Sequence, residues 1–208
     1  MVTHRESNTR EEELVEATLK CIATHGLGKT TVRKIAETAG VTNGLIRFYF
    51  TSKDKIIQAA YIRLLNVIFR TAFDDMEGSD LKGCERLGSF IRANLSSSII
   101  SPDMVSLWAS FLPLAQNDPV MAEIRRKFNK DTVQAFETLI SDAYKECDLS
   151  PTKEQISQKA FALNSLIDGI WINGGMPDSE LCQKQLVEIG FSSAAALLEL
   201  PKEKLFPL

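Results

Sequence analysis

Histidine is nearly missing from this chain, with His4 and His25 the only two among 208 residues. A Ser-His-Asp constellation or a histidine-built metal site therefore has almost nothing to be made from. The four cysteines, Cys21, Cys84, Cys147 and Cys182, are widely separated and form neither a CxxC pair nor a Cys-His cluster, which sets a structural zinc site aside. Buried, reduced thiols in a cytoplasmic protein are the default reading, and no cofactor or metal is expected. Long apolar runs are scarce as well. The longest uncharged stretch, Met104 to Asn117, is interrupted by Pro113 and is too short to span a bilayer. The first fifteen residues carry His4, Arg5, Arg10 and four glutamates, with no apolar core of the kind a signal peptide needs. Strand alternation, internal repeats and low-complexity segments are all lacking. So are a nucleophile–base pair and a phosphate loop, and an enzyme is not expected.

What is present is ordinary globular material. The chain is 44% hydrophobic and 25% charged, and its length suffices for a full core. Its organising stretch is Thr30 to Ile57. Val32, Ile35, Ala36 and Ala39 recur three or four apart, and after Gly40 the apolar spacing restarts at Val41, Leu45, Ile46 and Tyr49. A glycine at that break supplies the left-handed backbone that ends one helix and re-aims the chain. Thr42 can cap the next helix, and Ser52 the one that opens at Lys53. This is the pattern of a helix-turn-helix. Between Gly26 and Lys55 six basic residues (Lys29, Arg33, Lys34, Arg47, Lys53, Lys55) stand against Glu37 and Asp54, a balance of +4 in a chain whose net charge is −3. Charge alone reads more readily as a solvated helical face; its coincidence with the turn geometry points instead to phosphates.

The segment IAETAGVTNGLIRFYFTSKDKII resembles the N-terminal DNA-binding domain of the TetR family of bacterial transcriptional regulators, through Ala36, Gly40, Val41, Gly44, Tyr49, Phe50 and Lys53. The resemblance implies that Asn43, Arg47 and Tyr49 face the major groove. It also implies that Gly44 allows close backbone approach, and that Thr31, Thr42 and Lys53 meet phosphates. A tyrosine is common in the family where this chain has Arg47. Arginine can fork onto guanine O6 and N7, Asn43 can pair with adenine or a phosphate, and hydroxyls with Lys53 can fix register on the backbone. Leu45, Ile46 and Phe50 read as core. Phe48 stays open between core and contact.

Around this stretch the whole chain reads as all-α: a three-helix DNA-binding domain over 1–55 and a larger helical ligand-binding and dimerisation domain over 56–208. Residues 1 to about 8 are polar, and a first helix is expected from Thr9 with Leu14, Ala17, Thr18, Cys21 and Ile22 as its apolar stripe, ending at His25-Gly26. His25 can be a ligand or, more commonly at such an end, a C-terminal cap. A connector helix runs from Lys53 to about Met76 and breaks at Glu77-Gly78-Ser79-Asp80. Further helices are expected over about Gly83–Ser97, Asp103–Gln116 and Val120–Cys147, then from Thr152 to about Asn173, with a last one ending near Leu200. From residue 56 onward 15 basic residues face 20 acidic ones, so this part is not expected to touch nucleic acid.

The last two helices are apolar nearly all round, through Phe161, Leu163, Leu166, Ile167, Ile170 and Ile172, then Leu186, Ile189, Phe191 and the AAALL run. Such helices must be covered on every side, which suggests a partner surface. TetR-type proteins pair helices like these across a two-fold axis, so the resemblance implies a homodimer that sets two recognition helices one DNA turn apart. Trp108, Phe111, Tyr144 and Trp171, with Asn164 and Asp168 on the Trp171 face, read either as core or as an aromatic box. Pro113 would loosen packing beside them, and such a box with an acid attracts quaternary ammonium compounds. SLIDGIWINGG, SLWASF and LIRFYF are similar to the TetR subgroup that represses choline-to-glycine-betaine genes and is released by choline. The expected function is thus a dimeric, ligand-responsive repressor of a palindromic operator. The alternative is a helical small-molecule-binding or scaffolding protein with a vestigial helix-turn-helix.

Overall fold

The structure is a computed structural model that describes residues 4–74, 80–96 and 100–206, with the side chains of 4–8 and 70–74 excepted. Among the described residues there are ten α-helices and no strand: α1 (His4–His25), α2 (Val32–Ala39), α3 (Asn43–Tyr49), α4 (Lys53–Asp74), α5 (Gly83–Asn94), α6 (Pro102–Asn117), α7 (Pro119–Glu146), α8 (Lys153–Gly174), α9 (Gln183–Leu198) and α10 (Lys202–Leu205). None is long and apolar enough to cross a membrane among the described residues.

The chain divides into two compact units. The first comprises 1–66 and 106–124, and the second 67–105 and 125–208. In the first, α1 packs on α2 and α2 on α3. Leu14, Thr18, Cys21 and Ile22 of α1 are buried as their spacing demands, together with Ile35, Ala36, Ile46 and Phe50 of the next two helices. Thr18, the one polar member of that stripe, returns its hydroxyl to the Leu14 carbonyl at 2.8 Å, so its burial leaves no donor unmet. The unit runs on past Lys55 because α4 turns Ile56, Ile57, Ala60, Tyr61 and Leu64 inward. Tyr61 stacks on Phe111 of α6 with ring centroids 4.8 Å apart.

In the second unit α8 packs on α9, and α5 packs on both α9 and α10. α8 opens with a capping box in which Thr152 and Gln155 satisfy each other's backbone N–H groups. α10 was not legible as a helix. It is a single turn after Pro201, held by Leu205, which is buried, and by Phe206, which stacks on Phe191. Other boundaries differ modestly. α1 begins at His4 rather than Thr9, running upstream through a polar segment, His4 to Asn8, that carries no apolar period to announce it. α5 stops at Asn94, short of Ser97, which lies outside the described residues, as do Met76 and the expected break at Glu77-Gly78-Ser79. α6 continues through Pro113 to Asn117, whose side-chain amide donates to the Pro113 carbonyl at 2.7 Å.

Candidate nucleic-acid interface and effector region

The helix-turn-helix is fixed by local chemistry. Gly40 takes φ +66° and closes α2, with its N–H turned back onto the carbonyls of Ala36 and Glu37. Thr31 caps α2 by accepting the Lys34 N–H at 3.3 Å, Thr42 caps α3 by accepting the Leu45 N–H at 3.4 Å, and Ser52 accepts the Lys55 N–H at 3.3 Å at the head of α4. A capping hydroxyl uses a lone pair and keeps its own proton free to donate. All three caps are solvent-exposed, so each can offer that proton to a phosphate oxygen.

α3 buries Ile46, half-buries Leu45 and Tyr49, and turns Asn43, Gly44, Arg47 and Phe48 to solvent; Lys53 is exposed at the start of α4. Phe48 was undecided from sequence. Its 79% exposure makes it the most open of the large hydrophobic side chains described, and it meets Tyr49 edge-on with centroids 5.2 Å apart. Among the described residues neither Arg47 nor Lys53 forms an ion pair, whereas Arg33 is tied to Glu37 at 2.9 Å. The two unpaired cations border a depression of about 430 Å³ whose lining also includes Val32, Ile46, Phe50 and Ser52. An unpaired, solvated cation keeps its full charge for an outside anion, and helix N-termini such as that of α4 favour the same sign.

The six aromatic and polar residues of the expected effector site are distributed over the two units. Trp108 and Phe111 belong to the first, where Phe111 is fully buried against Tyr61 and Trp108 is half-buried. Tyr144, Asn164, Asp168 and Trp171 belong to the second. There Asn164, itself buried, donates to Asp168 Oδ2 at 3.2 Å, and Trp171, one turn further along α8, is buried. Asp168 is exposed as a residue, yet the packing around its carboxyl desolvates it and raises its pKa to about 6, against the opposing pull of the Arg125 charge and the Asn164 amide. Tyr144 is already engaged twice: its hydroxyl donates to the Leu198 carbonyl at 2.8 Å, and Lys159 Nζ lies 5.8 Å from its ring centre. Sequence reasoning missed Arg125 and Lys159, because both reach these residues from other turns of helix rather than through a local motif. Among the described residues no group of three or more His, Cys, Asp or Glu side chains could hold a metal ion.

On the outer side of α8 and α9 an open groove of about 580 Å³ is lined by Ser165, Gly169, Asn173, Leu181, Leu186 and Ile189, among others. Phe161 (60% exposed), Met176, Leu181 and Ile189 are all open to solvent.

Comparison with known proteins agrees with this layout. Residues 14–60 match the family described as bacterial regulatory proteins, tetR family, and residues 84–199 match that described as BetI-type transcriptional repressor, C-terminal. The HTH-type transcriptional regulator BetI of Burkholderia cenocepacia (strain HI2424) is 25% identical over 167 residues, covering 80% of this chain and 82% of that one. Its counterpart in Burkholderia thailandensis is 28% identical over 168 residues, with 80% and 82% covered. A transcriptional regulator from Pseudomonas aeruginosa PAO1 has the same fold, with a TM-score of 0.82 at 22% identity over 96% of this chain and 95% of that one. These relatives are regulators, not enzymes. The second match alone spans more than half of the sequence, and with the helix-turn-helix match ahead of it the chain belongs to the TetR family of bacterial transcriptional regulators, as a repressor of the BetI type.

Proposed function

We propose that this repressor binds a palindromic operator as a homodimer and is released by a small cationic effector of the quaternary ammonium class, with choline the first candidate. The observation that carries the DNA half is the recognition helix α3, capped at its head by Thr42, anchored by buried Ile46, and open to solvent at Asn43, Gly44, Arg47 and Phe48. In this reading Asn43, Arg47 and Tyr49 meet base edges. Thr31, Thr42 and Lys53 hold the phosphates, and Phe48 packs against a thymine methyl or a sugar. The dimer half is supported by the face of α8 and α9, where large apolar side chains flank small ones. Added carbon at Gly169 would meet nothing within 4 Å, so a second helix has room to approach there.

For the effector, Asp168 supplies the negative charge and Trp171 an aromatic face, with Asn164 orienting the carboxylate. A cation settling there would meet the ionised carboxylate and favour that form over the protonated one. Tyr144 of the same unit completes the proposed set; it would have to exchange the Lys159 ammonium for the ligand's. A ligand preferring the released state by about 1 to 3 kcal/mol weakens operator binding roughly 5- to 150-fold. Isothermal titration of the full-length protein with choline, beside Asp168→Asn and Trp171→Ala, tests this. Binding lost in both variants is expected, and wild-type affinity in both would remove these residues from the site.

A further inference from the structure

Cys84 and Cys147 lie 63 positions apart in sequence, yet their sulfurs stand 3.6 Å from each other. Both are free thiols; Cys84 is the second residue of α5 and is wholly buried, while Cys147 follows the last residue of α7 and is half-buried. The junction is closed by further contacts. Glu146 Oε2 accepts the Cys84 N–H at 2.9 Å, the Cys84 thiol points to the Ala143 carbonyl at 3.7 Å, and Lys204 Nζ from α10 sits 3.7 Å from the Cys147 sulfur. Gly83 fits this clasp because it takes φ +47° and leaves space that Glu146 fills.

From this geometry we infer that Cys84 and Cys147 are a redox-modification site, a thiol pair that a hydroperoxide converts into a disulfide joining the head of α5 to the tail of α7. The two thiols have unequal roles. Cys147 is the one solvent can reach, and the Lys204 ammonium lies 3.7 Å from its sulfur, where it can stabilise negative charge as that develops during reaction. Burial, together with the hydrogen bond to Cys147, pushes the Cys84 thiol up to about 12, so Cys84 remains the protonated partner. The Cys147 sulfur, having lost its proton, attacks the outer oxygen of the peroxide. The O–O bond breaks, an alcohol or water leaves after taking up a proton, and sulfenic acid remains on Cys147. The Cys84 sulfur then attacks the Cys147 sulfur. The S–S bond forms, the S–O bond breaks, and the departing hydroxyl leaves as water with the Cys84 proton. Two thiols are oxidised by two electrons in all and one peroxide is reduced. The sulfurs need approach by only roughly 1.5 Å to reach the length of an S–S bond.

The test treats the full-length protein with hydrogen peroxide, blocks remaining thiols with a maleimide under denaturing conditions and maps the digest by mass spectrometry. The expected result is loss of two of the four thiols, a Cys84–Cys147 linked peptide about 2 Da lighter than its two reduced parts, and recovery of both thiols with dithiothreitol. In Cys147→Ser the Cys84 thiol should survive the same treatment intact, and in Lys204→Gln the pair should form more slowly. Over-oxidation of Cys147 with Cys84 still a thiol would overturn the inference. So would peroxide reacting only at Cys182, the exposed cysteine, or leaving all four thiols unchanged.

Discussion

Arg47 and Lys53 reach solvent from the margins of the same depression, and their substitutions separate two kinds of DNA contact. Arg47→Ala should cost about 1 to 3 kcal/mol on the operator and relax preference at one base pair. Lys53→Ala should weaken all duplexes alike and reduce the salt slope by about 1. Equal losses on operator and random duplex for Arg47→Ala would show that it reads no base. Phe48→Ser should leave folding stability within about 0.5 kcal/mol, as expected of so exposed a side chain, while lowering operator affinity; gel-shift titration beside thermal melting separates the two. Asp168 has a distinct signature. Its folded pKa lies above the ordinary carboxylate value, at about 6, so the folded state holds the proton more tightly than the unfolded one. Stability from this group is complete below about pH 4 and is lost as pH rises through about 6. Asp168→Asn should remove that part of the pH slope and stabilise the protein at neutral pH. Solvent at one edge of the residue limits the gain to no more than about 1 kcal/mol, which urea unfolding at pH 4 and pH 7.5 would measure.

At the level of elements, the parts written in local chemistry were readable and those that depend on distant contact were not. The turn after α2 follows from Gly40, and the starts of α2, α3 and α4 from Thr31, Thr42 and Ser52, because caps and left-handed glycines act within three residues. The spacing of Leu14, Cys21 and Ile22 likewise selects a buried face without outside help. α10 carries no such signal: four residues cannot sustain a helix alone, and it exists because Leu205 and Phe206 dock on α5 and α9. Phe48 could not be assigned because its apolar side chain fits core and contact equally, and only its exposure decides. The inclusion of α6 in the first unit rests on Tyr61 meeting Phe111, a contact fifty residues long in sequence. The docking of α10 is itself testable. At Gly88 of α5 an added methyl would fall 1.8 Å from the Leu205 carbonyl oxygen, a backbone atom with little freedom to yield. Gly88→Ala should therefore cost about 1 to 3 kcal/mol by overpacking, seen as a lower midpoint in urea; an unchanged midpoint would mean that α10 does not hold its place against α5.

Across the whole molecule, charge is unevenly distributed: the first 55 residues hold 9 basic and 7 acidic residues, and the remainder 15 and 20. The positive part carries the proposed recognition helix, α3, and the negative part suits the proposed cationic effector more than a second nucleic-acid surface. Operator binding of the proposed kind also needs two copies, since a palindrome presents two half-sites about one helical turn apart. Phe161→Glu on the outer face of α8 puts a charge where the proposed partner helix would lie, at little cost to a chain that already exposes this residue. Sedimentation should show a monomer that folds normally and binds a single half-site weakly; a dimer that survives both this change and Gly169→Arg would place the interface elsewhere.

Repression relieved by a small cation is tested most directly by the binding of full-length protein to the duplex upstream of its own gene, over a salt series, with and without choline. The account predicts sequence-selective binding that falls steeply with salt and is weakened roughly 5- to 150-fold by choline. Selective binding indifferent to choline would contradict the effector assignment, and no selective binding, there or to a random-sequence library, would contradict the operator-binding reading of α3.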